Sequence, residues 1–498
     1  MKYILALDQG TTSSRSIIYS ESLRVIATAQ KEFTQHFPQP GWVEHDGMEI
    51  WETILSTARE AIAKAGISAG EIAALGITNQ RETVIVWDRK TGLPVHHAIV
   101  WQDRRTGEAM NALREAGKES LVQQRTGLLL DPYFSASKIR WILQEIPDGQ
   151  ARAEAGELAA GTIDSWLIYK LTGGASHVTD VSNASRTMLM NIRKGDWDAE
   201  LLSLFNIPAA ILPRIAPSSG SLGVTDAAHF GASIPVTSAI GDQQSALFGQ
   251  LCTKPGLVKC TYGTGCFLLE FTGQDAISST NRLLTTIAWK IGEGSLQYAL
   301  EGSVFMGGAS IQWLRDGLGI IKSAPEVEEL ANRVNDSAGV FLVPAFTGLG
   351  APYWDPQARG TILGLTRGTT SAHIARATLE GIAFQVSDLV TAMEKDSGKK
   401  ITTLRVDGGA SASNLLMQTQ SDLLGCTVER PANLESTALG AAMLAGLGAG
   451  IWPSIEELSK IRSVERRFEP EITAQSRRSR LKIWKRAVKR AQNWATQS

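Results

Sequence analysis

An α/β fold duplicated along the chain is what this sequence predicts, and three observations predict it. At 498 residues the chain is too long for one hydrophobic core, so two or more domains are expected. Near its start, the apolar run 3–7 enters Asp8-Gln9-Gly10-Thr11-Thr12-Ser13-Ser14-Arg15 and leaves through 16–19, which reads as strand, tight polar turn, strand. The same pattern recurs far downstream, where 258–262 leads into Gly263-Thr264-Gly265 and then the apolar run 266–269.

In the first turn, Gly10 lets the backbone approach a ligand closely. The hydroxyls of Thr11, Thr12, Ser13 and Ser14 and the guanidinium of Arg15 present donors where phosphate oxygens could sit. Asp8, acceptor-only when ionised, suits a hydrated divalent metal that accompanies phosphates. A plain hairpin with a hydroxyl-rich tip fits the segment as well. The chain has no Walker A pattern and no Gly-x-Gly-x-x-Gly after a strand, so a nucleotide would be held in another way. Two such turns on one chain suggest a nucleotide clamped between two similar halves.

After the hairpin, residues 25–33 alternate as a third antiparallel strand, and 35–42 read as a loop. Asp46 with Glu49 has the form of a capping box. Ile50, Ile54, Ala58, Ala61 and Ile62 keep helical spacing, which predicts a helix over 47–64. Residues 72–78 form an apolar strand that stops at Asn79-Gln80-Arg81-Glu82-Thr83, before a further strand over 84–87. Polar residues at the mouth of a buried strand stand where open α/β sheets hold ligands. Arg81 and Glu82 either grip vicinal hydroxyls of a polyol or pair with each other. Residues 98–100 run in the same way into Trp101-Gln102-Asp103-Arg104-Arg105, with Trp101 as a pocket wall or a core residue. The turn Leu130-Asp131-Pro132-Tyr133 brings a phenol towards the same place, and a helix over 138–145 follows.

Residues 158–171 and 178–190 resist assignment, although Asn183, Ser185 and Arg186 form a polar insert among apolar neighbours. Prolines 208, 213 and 217 with the run 218–223 mark a loop region, and His229 reads as a surface histidine. Residues 234–240 are a strand ending at Gly241-Asp242-Gln243-Gln244, where a helix begins. Asp242 is therefore either a helix N-cap or a functional carboxylate favoured by the N–H groups of that helix end.

In the second half, strands over 283–288 and 296–300 precede Gly302 and the stretch Phe305-Met306-Gly307-Gly308, then a helix over 309–318. Its small-residue start either receives a phosphate or sugar or packs tightly. Residues 340–345 are a strand, 371–395 a long helix, and 404–407 a strand running into Gly408-Gly409 before a helix over 414–424. Two glycines there allow close approach of a flat ring such as adenine. The Ala/Gly/Leu-rich helix 437–449 must be buried. The basic tail 477–492 sets Leu481, Trp484 and Val488 on one face, as either a docked helix with a charged outer side or a helix that meets a partner or membrane surface does.

Composition gives no argument for a nucleic-acid partner: 43% of residues are hydrophobic, 20% are charged, and the formal net charge is -1. The chain opens on a strand rather than a basic-then-apolar leader, and no apolar run reaches membrane-spanning length, so a cytoplasmic protein without a membrane partner is expected. Cys252, Cys260, Cys266 and Cys426 lack zinc-site or Cys-x-x-Cys spacing and are expected to be buried thiols.

Taken together, DQGTTSSR, ITNQRET, VWQDRR, DPYF, GDQQ, YGTGCF, ASIQWLRD and VDGGAS resemble the FGGY family of carbohydrate kinases nearly end to end, and within it the members that act on glycerol. Both family signatures are present: one over 133–145 with Lys138 and Trp141, the other over 360–380 with Gly364, His373 and Glu380. The resemblance implies two actin-, Hsp70- and hexokinase-like (RNase H-like) α/β domains facing a central cleft. Residues 1–247 would bind polyol and phosphate, 248–450 the nucleotide, and 451–498 would form a basic helical extension.

The resemblance further implies Arg81, Glu82, Trp101, Tyr133, Asp242, Gln243 and Phe267 as polyol contacts. By the same likeness, Thr11, Thr12, Ser13, Arg15, Thr264, Gly308, Gln312, Gly409 and Ser413 are the nucleotide contacts. Ser413-Asn414 stands where many members carry two asparagines. The implied activity is phosphorylation of a terminal hydroxyl of glycerol by ATP, with Asp242 as general base and Mg²⁺ held partly through water by Asp8. A homodimer or homotetramer is the expected assembly. A kinase for another polyol or a ketose is the rival within the family. An actin- or Hsp70-like nucleotide-gated binding protein is the rival outside it, although such a protein would not need Arg81, Glu82, Tyr133, Asp242 and Gln243 together.

Overall fold

In the computed structural model, which describes residues 2–495, two mixed sheets carry the chain. The first has the order Ser219–Val224, Pro235–Gly241, Ile72–Asn79, Tyr3–Gln9, Ser13–Ser20, Val25–Glu32. Tyr3–Gln9, Ser13–Ser20 and Val25–Glu32 are antiparallel neighbours, while Ile72–Asn79 and Pro235–Gly241 add in parallel on the other side. Ile4, Leu5, Ala6 and Leu7 are all fully buried, as a central strand covered on both faces requires. Helix Gly47–Ala65 closes one face with Ile50, Ile54, Ala58 and Ala61.

The second sheet repeats this plan in the order Leu284–Trp289, Gln297–Val304, Cys266–Gly273, Val258–Tyr262, Thr403–Asp407, Thr427–Pro431, Val464–Phe468. Val258–Tyr262, Cys266–Gly273 and Gln297–Val304 are the antiparallel set, and Thr403–Asp407 and Thr427–Pro431 the parallel pair. In both sheets the turn of the first hairpin therefore stands beside the carboxyl ends of the parallel strands, where α/β sheets present their ligand-binding loops. The expected duplication is thus present strand by strand.

Two helices join the lobes. Asp242–Gly249 follows the last parallel strand of the first sheet, and Ser436–Gly448 follows that of the second. They cross main chain to main chain: a methyl group at Gly440 would collide with the Ser245 carbonyl oxygen, and one at Gly249 with that of Ser436. Ser436–Gly448 also lies so close to the first sheet that a methyl at Gly76 would strike the Ala441 carbonyl. One apolar cluster consequently mixes Ile4 and Ile240 with Leu269 and Trp289, and the two helices fill it.

The expected helices over 47–64, 371–395, 414–424 and 437–449 appear as Gly47–Ala65, Ser371–Ser397, Asn414–Leu424 and Ser436–Gly448. The tail forms helix Ala474–Ala491 and docks through Trp484, whose ring stacks on Phe384 at 5.0 Å and whose Nε1 donates to Asp388 Oδ2 at 2.7 Å. The stretch 158–171 divides into strand Leu158–Thr162 and helix Ile163–Leu171. Trp166, Leu167 and Ile168 are all buried there, so no one-sided hydrophobic period was available to read.

Two local expectations change. Asp46 caps its helix through the N–H groups of Met48 and Glu49, but Glu49 accepts from the N–H and hydroxyl of Thr34 instead of closing a capping box. His229 is half-buried, edge-on to Trp51 at 5.0 Å, with Nε2 at 3.0 Å from the Lys170 carbonyl. All four cysteines are free and buried. No helix among the described residues is long and apolar enough to cross a membrane.

Candidate active site

The first turn is closed by Gly10 N–H, which donates to the Ser13 carbonyl at 3.0 Å. Gln80, the first residue beyond the adjacent parallel strand, braces it. Its backbone N–H donates to the Gln9 carbonyl at 2.8 Å and its amide to the Gly10 carbonyl and Gln9 Oε1, each at 3.0 Å. Gln35 Nε2 donates to the Thr11 carbonyl at 3.0 Å. Between the two glutamines lies buried His45, with Nε2 at 2.8 Å from Gln35 Oε1 and Nδ1 at 3.4 Å from Gln80 Nε2. Both amides spend their N–H groups as donors, so the bonding pattern assigns the proton of His45 to Nε2. Burial, helped by nearby His36, lowers its pKa to about 3. Gln35, His45 and Gln80 escaped the sequence reading as parts of this loop.

The hydroxyls of the turn do not all face one way. Thr11 Oγ1 accepts from Trp101 Nε1 at 3.0 Å and Thr12 is exposed at the tip. Ser13 Oγ accepts from Gln30 on the neighbouring strand at 2.9 Å. Ser14 is withdrawn into the core, bonded to Thr53 of the first helix. Arg15 reaches across the cleft and pairs with Glu435 of the second lobe.

Arg81 and Glu82 follow the same parallel strand, and Glu82 adopts a left-handed φ of 61°, the kind of strain that a functional site retains when its surroundings over-determine it. They are not each other's main partner. Arg81 forms a two-pronged bond to Glu301, at 2.6 and 2.8 Å, and its Nε lies 3.2 Å from Asp242 Oδ1. Glu82 accepts from Arg186 Nε at 2.6 Å, and Arg186 Nη2 reaches Glu301 at 3.1 Å. Burial pushes the Glu301 carboxyl up, but Arg186 and Arg81 outweigh it and hold it down at about 2. Glu301 belongs to the second lobe, so this network ties the lobes together beneath the cleft. The polar insert at 183–186 was the one sequence signal for Arg186, and Glu301 had none.

Trp101 and Tyr133 stand edge to face, ring centres 5.6 Å apart, beside these charges. Lys138 fastens the turn by donating to the carbonyls of Tyr133 at 2.5 Å and Glu82 at 3.3 Å, and burial lowers its pKa to about 7. On the other side, the register sets Lys259 opposite Leu269, Thr261 opposite Phe267, and Leu269 opposite Glu301. Phe267, Thr261, Lys259 and Glu301 thus share one face of the second sheet.

Asp242 is the first residue of its helix, with Gly241 at the N-cap. Its carboxylate is consequently not used as the cap. It accepts from Gln243 N–H at 2.6 Å, and its side chain is 32% exposed. Gly241 is anchored by Ser182 Oγ, which accepts its N–H at 2.9 Å. Ser182 in turn donates to Asp180, and Asn183 exchanges amide bonds with Asn79 at 3.0 and 3.1 Å.

In the second lobe a cavity of about 330 Å³ is lined by Thr264, Gly308, Gln312, Gly409 and Ser413, all five of the residues expected there, together with Ile311, Pro325 and Val327. Gly408, at φ 83°, turns the chain where a Cβ would meet the Tyr262 carbonyl at 2.7 Å, and Gly409 faces open space. Ser413 lines the cavity but spends its hydroxyl capping helix Asn414–Leu424, and Asn414 accepts from Arg430 at 2.9 Å.

Asp8 ends the first central strand. Burial raises its pKa to about 7, Arg15 works against this, and the Asp242 and Glu435 carboxylates add to it. Of these neighbours Glu435 pairs with Arg15 and Asp242 with Arg81, which leaves the Asp8 carboxylate as the acceptor-only group that could face a hydrated divalent ion. Among the described residues no group of three acidic, histidine or cysteine side chains that could hold a metal ion converges.

Comparison with known proteins identifies the family. Residues 3–249 match the FGGY carbohydrate kinase N-terminal domain and 258–449 its C-terminal domain. A glycerol kinase of Trichlorobacter lovleyi is 58% identical over 99% of this chain and 100% of its own length, and glycerol kinase 2 of Thermotoga maritima is 57% identical over 99% of both. The crystal structure of Plasmodium falciparum glycerol kinase with ADP superposes with a TM-score of 0.93 at 38% identity, covering 99% of this chain and 98% of that one. A xylulose kinase of Lactobacillus acidophilus shares the fold, with a TM-score of 0.88 at 22% identity over 98% and 97% of the two chains. Two α/β lobes of actin and hexokinase type, a paired-hairpin cleft and a likeness that runs the whole length place this chain in the FGGY family of carbohydrate kinases.

Proposed function

We propose that this chain transfers the γ-phosphoryl group of ATP to a terminal hydroxyl of glycerol, giving sn-glycerol 3-phosphate and ADP. The observation that carries the reading is the position of Asp242, a part-exposed carboxylate whose Oδ1 contacts Arg81 and the Gln243 N–H and which lies near Asp8 of the phosphate-type turn. Phosphoryl transfer asks a protein chiefly for alignment and charge neutralisation. Asp242 accepts the proton of the attacking hydroxyl. Arg81, Glu82 and Gln243 fix the substrate hydroxyls, with Trp101, Tyr133 and Phe267 around its carbons. Thr11, Thr12, Ser13, Arg15 and Thr264 receive phosphoryl oxygens, and the nucleotide occupies the cavity of Gly308, Gln312, Gly409 and Ser413. Mg²⁺ bound by Asp8 through water would supply further neutralisation of the phosphates. Closure of the lobes excludes water and so limits ATP hydrolysis.

The relatives named glycerol kinase, matched at 55–58% identity over nearly the whole chain, support glycerol over other polyols. So do Trp101 and Phe267, whose bulk favours a short acceptor. ADP release measured with and without glycerol, against xylitol, xylulose and other polyols, tests the reading. Strong stimulation by glycerol is expected, and stimulation by a ketose alone would replace it with the neighbouring activity. Cytoplasmic location and a homodimer or homotetramer complete the proposal, and sedimentation of the same preparation reads the assembly.

A further inference from the structure

Lys259 is a fully buried ammonium on Val258–Tyr262, the central strand of the second sheet. Its face of the sheet meets helix Asp242–Gly249 of the opposite side of the cleft. Nζ donates to Gln243 Oε1 and to Thr261 Oγ1, the latter at 2.9 Å, so both bonded acceptors are neutral. Burial lowers its pKa, and the charges of Asp407, Asp242 and Glu301 work against that. Apolar packing alone gives no reason for an ammonium without water, because an uncharged side chain of the same length would fill the space at lower cost. Its bond fixes the orientation of one amide: with Oε1 turned to Nζ, the Gln243 N–H groups are presented on the side away from Lys259.

We propose that Lys259 is a positioning residue for the phosphoryl transfer, acting from the second lobe by holding the Gln243 amide in its donating orientation towards the polyol. This deepens the reading given above and rests on it. The lobe that holds the nucleotide would thereby also set the acceptor site, so polyol affinity becomes linked to how the lobes meet.

The test is a double-mutant cycle on the full-length enzyme with Lys259→Met, Gln243→Ala and the pair, assayed by ADP release at saturating ATP. Methionine keeps most of the stem volume while removing the charge. Lys259→Met is expected to lower kcat/KM for glycerol by about 10- to 100-fold, the range for losing a hydrogen bond to a charged group. The KM for ATP should stay within about twofold, as expected for a residue that acts on the polyol side alone. In the Gln243→Ala background the same change should cost little, because the amide it acts through is gone.

Multiplicative losses in the cycle, or a loss carried by the KM for ATP, would overturn the proposal and leave Lys259 a structural group. Melting temperatures accompany each variant, and if Lys259→Met does not fold, Lys259→Gln enters the cycle with the same expected pattern. A wild-type enzyme stimulated by a different polyol moves the cycle to that polyol, with the same outcomes deciding. A wild-type enzyme stimulated by no polyol overturns the functional reading, and this inference with it.

Discussion

The two hairpin turns occupy the same place in the same strand plan, yet they have opposite surfaces. Gly10-Thr11-Thr12 is ringed by side chains: Arg15, Trp101, and the Gln35–His45–Gln80 brace. Gly263-Thr264-Gly265 is ringed by backbone. Gly263 accepts from Gly308 N–H at 2.8 Å, and a Cβ at Gly265 would meet the Val304 carbonyl at 2.5 Å. The first lobe thus offers charges and amides suited to a polyol and a reacting phosphate. The second offers a smooth wall suited to a flat base, with a cavity behind it. Duplication supplied one geometry twice, and side-chain replacement divided the labour.

The comparison breaks most easily at Asp242, since the carboxylate at the start of the equivalent helix, Glu435, pairs with Arg15 instead. Asp242→Asn should leave binding of both substrates in place and reduce kcat by about 10²- to 10⁴-fold, the usual worth of a general base. Near-normal turnover would remove the first lobe's claim to the chemistry. The next effect tests how far the division is real, since Glu301 of the second lobe neutralises Arg81 and Arg186 of the first. Glu301→Gln leaves two buried guanidinium groups under-compensated and should cost about 3–5 kcal/mol in chemical denaturation. A loss below about 1 kcal/mol, the worth of an ordinary exposed pair, would show that the lobes do not depend on that link.

Gly409→Ala sharpens the contrast from the other side. A methyl there meets no protein atom, so the fold should tolerate it, but Gly409 lines the cavity proposed for the nucleotide. The expected result is a rise of about tenfold in the KM for ATP, roughly 1.4 kcal/mol of lost contact, with the KM for glycerol unchanged. The last effect concerns His45 and is negligible at neutral pH. Its folded pKa, about 3, lies below the ordinary 6.5, so the unfolded chain takes up a proton that the folded one refuses between those values. This contribution to stability is complete above pH 6.5 and is lost as pH falls towards 3, at up to about 1.4 kcal/mol per pH unit. Stability curves of His45→Asn should therefore fall less steeply in acid than those of the wild type, and parallel curves would show that His45 does not stay neutral.

What the sequence revealed and what it hid follow from the range of the interactions. The hairpins, the cap at Asp46 and the helices over 371–397 and 414–424 rest on neighbours within a few residues, and their periods were readable. The glycines that line the second-lobe cavity were also readable as places of close approach. Glu301 was invisible for the opposite reason: it stands in an apolar strand, and only the meeting of two sheets 220 residues apart in sequence gives it Arg81 as a partner. Lys259, His45 and Gln35 act through shorter-range contacts, 10 to 35 residues apart, that no local period marks. The N-cap alternative for Asp242 was reasonable from local spacing, and it failed by one position because Gly241 took that place.

Where the helices Asp242–Gly249 and Ser436–Gly448 touch, neither side has a side chain to compress. Such a joint holds two backbones at a separation that only glycine allows, as a rivet needs its drilled hole. The smallest possible addition at position 440, a single methyl, would meet the Ser245 carbonyl oxygen and prise the two helices apart without touching any reactant.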